Sequence, residues 1–167
     1  MPPNDPRSNF RMIREALLDP IDPPVGSVHP IPTQAEILDA AIPAYERELG
    51  QFYAAPQLSP DGPLFDVTLL GLGEDGHTAS LLPGAPVLDE RSRWVASVVG
   101  FAPEARITLT YPTLESSRDV AFLVTGAAKR RILAKVRAGA TDAPAARVRP
   151  GGRLHWFADR AAAPDAP

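Results

Sequence analysis

Residues 63–84 read PLFDVTLLGLGEDGHTASLLPG. The first half is a compact apolar run rich in β-branched residues, which predicts a strand buried on both faces in a parallel sheet. It runs into Gly71-x-Gly73-x-x-Gly76 with His77 directly behind. That spacing, with Asp89 and Glu90 near the place of a ribose-binding acid, superficially fits a dinucleotide cradle. Two features oppose it. Glu74 and Asp75 would put carboxylates where a pyrophosphate must lie, and HTASLL, read as a short helix, is stopped by Pro83 before it becomes a crossover helix.

The other chemistry is hydrolytic. His77 stands on a glycine turn at the C-terminal end of a central strand, where open α/β sheets bind ligands. Asp75 is placed to fix its tautomer and raise its basicity. Gly73 and Gly76 let the backbone come close to a ligand, and their N–H groups are candidates for an oxyanion site. The competing structural account is that Asp75 caps the short helix and His77 merely sits in its first turn. The triplet alone leaves both open.

Outward from this stretch, SNFRMIREALL carries Phe10, Ile13, Leu17 and Leu18 at helical spacing and predicts a helix from Ser8 to just before Pro20. After the linker IDPPVGSVHPIP, Thr33 and Glu36 form a capping box for a helix through Ile37, Leu38, Ala41, Tyr45 and Leu49 that ends at Gly50. Residues 55–63 are turn-rich. Downstream, RWVASVVG and ARITLTY read as strands. RDVAFLVTG reads as a buried strand feeding the helix AAKRRILAKVRAG, closed by Gly139. Residues 140–152 read as a loop, RLHWFAD as a last strand, and the Ala-Pro tail over 161–167 as disordered. Strands alternating with helices predict one α/β domain over residues 1–160 with a mainly parallel sheet flanked by helices.

The composition suits such a domain: 167 residues, 44% hydrophobic and 22% charged. A net charge of −3 supplies no global basic field, so neither nucleic acid nor an anionic membrane is an expected partner. An anionic ligand then needs a local cationic pocket. No cysteine is present, and no apolar run approaches membrane-spanning length; without a signal peptide the expected compartment is the cytoplasm. His29, in a Pro-rich linker, and His155, within a strand, read as structural, and no motif suggests a metal or other cofactor. Ser80 lacks a G-x-S-x-G context and is not expected to be a nucleophile.

The string GLGEDGHTASLLPG resembles the hallmark segment of the 6-phosphogluconolactonase family. SNFRMIREALL, VHPIPTQ, ARITLTYPTLESSRDVAFLVTGAAKRRIL and RLHWFADRAAA resemble further segments of that family in the same order. The resemblance implies a Rossmann-like, three-layer α/β fold shared with glucosamine-6-phosphate isomerases and deaminases. It also implies hydrolysis of 6-phosphoglucono-δ-lactone in the oxidative pentose-phosphate pathway. Thr78-Ala79-Ser80 favours the lactonase branch. Family members carry an earlier glycine-serine-threonine phosphate loop and an acidic-arginine motif that do not occur here, so the domain is expected to lack its first strands. Exposed edges would then carry a risk of self-association.

The resemblance further assigns roles. His77 is the base that activates water, oriented by Asp75, with Gly73 and Gly76 beside the reacting carbonyl. Arg106 and Lys129 match the family's phosphate-binding positions, where a guanidinium fork and a charge in a helix's first turn suit an anion. Ser8 and Asn9 resemble the family's sugar-proximal pair, although Ser8 also suits a helix N-cap. Arg130 and Arg131 are expected to face solvent or serve structure. Two alternatives accompany this: a catalytically impaired remnant that binds sugar phosphates, and a glucosamine-6-phosphate deaminase or isomerase.

Overall fold

The computed structural model describes residues 2–33, 38–55, 57–59 and 61–164. Helix α1 (Asn9–Ile13) begins after Ser8, whose hydroxyl accepts the Arg11 N–H at 3.4 Å. The predicted stop before Pro20 is passed. The chain widens into a π-helical turn, Arg14–Leu18, and continues as α2 (Asp19–Ile21) to Asp22 at φ 46°. Pro20 lies just past the π-helical turn inside this continuous rod, and its missing N–H leaves one helical bond unmade there. Met12, Ile13 and Leu17 remain exposed along this rod.

Helix α3 (Leu38–Tyr53) follows. The Thr33–Glu36 capping box falls partly on residues 34–37, outside the described residues. Gly50 does not end this helix. The terminating residue is Ala54 at φ 59°, whose N–H donates to the Gly50 carbonyl at 2.9 Å.

Strands β1 (Phe65–Gly71), β4 (Ser117–Val124) and β5 (Arg153–Ala158) form a parallel sheet in the order β1-β4-β5. Strand β4 is central, and its Val120, Phe122 and Val124 are buried in the main core. Strand β1 departs from expectation. Only Leu70 is buried along it, while Val67 and Leu69 are each 57% exposed. The register puts Val67, Leu69, Leu123 and Phe157 on one face. That face carries exposed apolar side chains, and the core forms on the other, so the pattern of a strand buried twice is only half realised.

Strands β2 (Val95–Val98) and β3 (Arg106–Leu109) pair antiparallel in a separate sheet rather than extending the parallel one. Short helix α4 (Tyr111–Glu115) lies between β3 and β4, fully buried at Tyr111 and Leu114. Helix α5 (Arg130–Arg137) follows β4 after a 3₁₀ turn, Ala127–Lys129, and Gly139 at φ 65° lies just beyond it. The predicted loop 140–152 contains α6 (Pro144–Arg147). The stretch after β5 is not loose from Ala161: Ala162 is wholly buried, and its N–H donates to Asp159 at 2.7 Å. A small side chain fitting a core gap outweighs the fraying tendency of a terminal Ala-Pro sequence.

Candidate active site

The glycine turn hangs from the C-terminal end of β1. Gly73 N–H donates to the His77 carbonyl at 2.8 Å, and Gly76 N–H to the Gly73 carbonyl at 3.0 Å. Gly76 sits at φ 84°, and a Cβ there would run into Ala143 and Ile132. Its carbonyl accepts the N–H of Ala145 in α6 at 2.9 Å. A Cβ on Gly73 would collide with the His77 imidazole and the Asp75 carboxylate. Gly76 is therefore required by its φ and its packing, and Gly73 by the seat of the imidazole.

No helix follows His77. Thr78, itself buried, donates its hydroxyl to the Gly71 carbonyl at 2.9 Å, and Leu81 N–H donates to the Thr78 carbonyl at 2.9 Å around Ala79 at φ 49°. Leu81 is entirely buried. A tight turn thus replaces the short predicted helix, because the Thr78 bond and the Leu81 anchor hold both ends of the turn near the strand. This removes the account in which Asp75 serves as that helix's cap. Ser80 N–H donates to Thr108 Oγ1 at 3.1 Å, tying the turn to β3.

Asp75 Oδ1 lies 2.6 Å from His77 Nδ1 and also accepts the His77 backbone N–H at 3.0 Å. Burial pulls the Asp75 pKa upward, but the bonds from the backbone and ring of His77 outweigh it and hold the carboxyl below its ordinary value of 3.8. An ionised carboxylate only accepts, so Nδ1 carries the hydrogen and neutral His77 presents a bare Nε2. The imidazole is 35% exposed, open enough to meet water and a ligand. The expected oxyanion donors need correction. The Gly73 and Gly76 N–H groups already bond inside the loop, which leaves these residues a role in making room rather than in donating.

Lys129 Nζ lies 3.8 Å from Glu74 Oε1, so its charge is held against the loop that carries His77. The helix start beside it carries a carboxylate. Gly126 N–H donates to both oxygens of Asp159, at 3.2 and 3.0 Å, so a carboxylate of the chain already faces that end. Arg130 donates to the carbonyls of Ala161 and Arg160 and fastens the C-terminal stretch. His155 is structural in the same sense: its Nε2 lies 2.7 Å from Asp119, which Arg153 also grips at 2.8 Å.

Arg106, Ser8 and Asn9, separated in sequence, line one cavity of about 430 Å³, a volume suited to a small ligand. Ser80 lines it too, which brings the cavity to the turn carrying His77. No carboxylate pairs with Arg106 among the described residues. Lys129 is not on the cavity wall. Sequence reasoning missed Thr78 and Thr108 as braces, Glu74 as the partner of Lys129, and Asp159 at Gly126. The Thr108 and Asp159 contacts join distant segments and leave no local spacing to read. Among the described residues no cluster of three His, Asp or Glu side chains is placed to hold a metal.

The profile of the family described as Glucosamine-6-phosphate isomerases/6-phosphogluconolactonase matches residues 1–156. The chain is 40% identical over 160 residues to a 6-phosphogluconolactonase of Synechocystis, covering 94% of this chain and 65% of that one. It is 38% identical to the 6-phosphogluconolactonase of Mycobacterium tuberculosis, covering 100% and 70%. It thus spans about two thirds of the length of these relatives. Among solved structures, the 6-phosphogluconolactonase of Thermotoga maritima superposes with a TM-score of 0.78 at 32% identity over 95% of this chain and 67% of that one. The Trypanosoma brucei enzyme gives 0.73 at 31% identity, covering 97% and 69%. In sequence and in fold, the chain belongs to the glucosamine-6-phosphate isomerase/6-phosphogluconolactonase family.

Proposed function

We propose that the chain hydrolyses the lactone ester of 6-phosphoglucono-δ-lactone, with His77 activating the attacking water. The observation that carries this reading is the 2.6 Å contact between Asp75 and His77 Nδ1, which leaves Nε2 as a proton acceptor beside the end of β1. Family membership and the names of the relatives supply the substrate class. Water adds its oxygen to the lactone carbonyl carbon while Nε2 takes a proton. The tetrahedral adduct then collapses, the bond from that carbon to the ring oxygen breaks, and the proton passes from Nε2 to the departing oxygen. A lactone ester needs no covalent enzyme intermediate for this.

Arg106 is the proposed phosphate ligand within the cavity, with Ser8 and Asn9 beside the sugar. Lys129, oriented by Glu74, adds positive charge near the loop. Binding the remote phosphate orients the reacting carbonyl. The test follows acid release from freshly made lactone, above the spontaneous rate, by the 167-residue chain and by His77→Ala. Turnover that survives His77→Ala unchanged would overturn the reading.

A second reading, a sugar-phosphate-binding protein without turnover, draws on the exposed apolar face of the sheet. It is distinguished by ligand binding without acid release. Ammonia release from glucosamine 6-phosphate would instead indicate the deaminase branch.

A further inference from the structure

The cavity beside Ser80 has on its wall an imidazole other than His77, one that the hydrolytic step does not use. His29 lines the cavity with Arg106, Ser8, Asn9 and Tyr45. Its Nδ1 is 2.5 Å from Glu48 Oε1, and the Tyr45 hydroxyl donates to its backbone carbonyl at 3.1 Å. Glu48 and Tyr45 lie one helical turn apart in α3, so one helix holds both the ring and the main chain of the same residue. The linker reading of His29 as a merely structural residue accounts for these anchors but not for its place on the cavity wall.

The hydrogen-bond chemistry narrows what the ring meets. Glu48, as a carboxylate, accepts only, so Nδ1 carries the hydrogen and the neutral ring presents Nε2 as an acceptor. Among the described residues Nε2 has no partner, and the side chain is 53% exposed. The Glu48 charge beside the ring disfavours a phosphate there. Arg7, also on the wall, is neutralised by Glu104 at 2.6 Å and by Asp5. Arg106 is left as the cation for the anionic end of a ligand, and a bare Nε2 suits a group that donates.

We propose that His29 is a substrate-contacting residue whose Nε2 accepts a hydrogen bond from a hydroxyl of the sugar, while Arg106 holds the phosphate. The cavity then selects a polyhydroxylated phosphate ester over one lacking that hydroxyl. Naming the ligand class rests on the lactonase reading, but the geometry of His29, Glu48 and Arg106 does not.

The test measures dissociation constants of the full chain for glucose 6-phosphate, its 2-, 3- and 4-deoxy analogues and inorganic phosphate. His29→Phe is expected to weaken glucose 6-phosphate by about tenfold, the size of one hydrogen bond. It should abolish the preference over one deoxy analogue and leave inorganic phosphate unchanged. His29→Gln, which keeps an acceptor, should restore part of the preference. Arg106→Ala should weaken every phosphate ligand alike. Unaltered binding of glucose 6-phosphate by a folded His29→Phe variant overturns the assignment, as does an equal loss for inorganic phosphate. If the chain binds these sugars selectively, loses that preference in His29→Phe and yet releases no acid from the lactone, the lactonase reading fails and His29 stands. Acid release with the deoxy preference unmoved by His29→Phe, or with no binding of glucose 6-phosphate, fails His29 alone, and neither binding nor acid release overturns both.

Discussion

Gly73 and His77 face each other across the loop at the end of β1: the Gly73 N–H donates to the His77 carbonyl at 2.8 Å, and its missing Cβ is the space the imidazole fills. Gly73→Ala should therefore push the ring off Asp75 while leaving the core untouched. The expected outcome is a folded protein by circular dichroism with lactone turnover down by about 10²-fold or more, the scale of a lost acid–base group. Retained turnover would show that the ring has another place to go.

Asp75→Asn tests the tautomer. An amide can present its NH₂ to Nδ1, which reverses the hydrogen bond and moves the hydrogen to Nε2, where no base remains. Turnover should fall by roughly 10²–10⁴-fold with little change in melting temperature, since the pair is half exposed. Equal losses in activity and stability would instead make the pair a structural brace.

Leu81 and Thr78 carry the turn's stability. Leu81 is wholly buried, so Leu81→Ala should cost about 2–5 kcal/mol in urea unfolding. Thr78→Val keeps the shape but leaves the Gly71 carbonyl without its hydroxyl donor, at a cost of about 1–3 kcal/mol. A Thr78→Val variant as stable as the parent would mean that water replaces the hydroxyl.

The Arg153 guanidinium, together with His155, holds the Asp119 carboxyl down at about 2, against an ordinary 3.8. A carboxyl depressed in the folded state contributes stability in full above its unfolded value and loses it as pH falls through the folded one. The contribution is thus present above about pH 4 and gone below about pH 2. Wild type and Asp119→Asn should differ in melting temperature near neutral pH and converge across that window. A constant gap down to pH 2 would assign the difference to packing.

Arg106→Ala removes the cavity's cation without disturbing an ion pair. A rise in KM of tenfold or more is expected, the order of one charge-assisted bond, with the fold intact. A fall in kcat alone would place Arg106 at the carbonyl rather than the phosphate.

The α/β class, the strand ending in a glycine turn, and His77 two residues beyond Asp75 can all be read from the chain's residues alone, because each is a local relation. A strand pattern, a residue that needs positive φ and an i to i+2 contact are decided within a few residues of chain. Tertiary structure decided the rest. HTASLL has a helical look, yet Thr78 bonding to Gly71 and Leu81 entering the core fold it into a turn. Apolar β1 looks doubly buried, yet which faces are covered depends on what packs against a strand, not on the strand. Arg106 shares a cavity wall with Ser8 and Asn9 across nearly a hundred residues, and His29 meets Glu48 across a linker. Such contacts are set by how the sheets and helices pack, and hydrophobic periodicity carries no record of them.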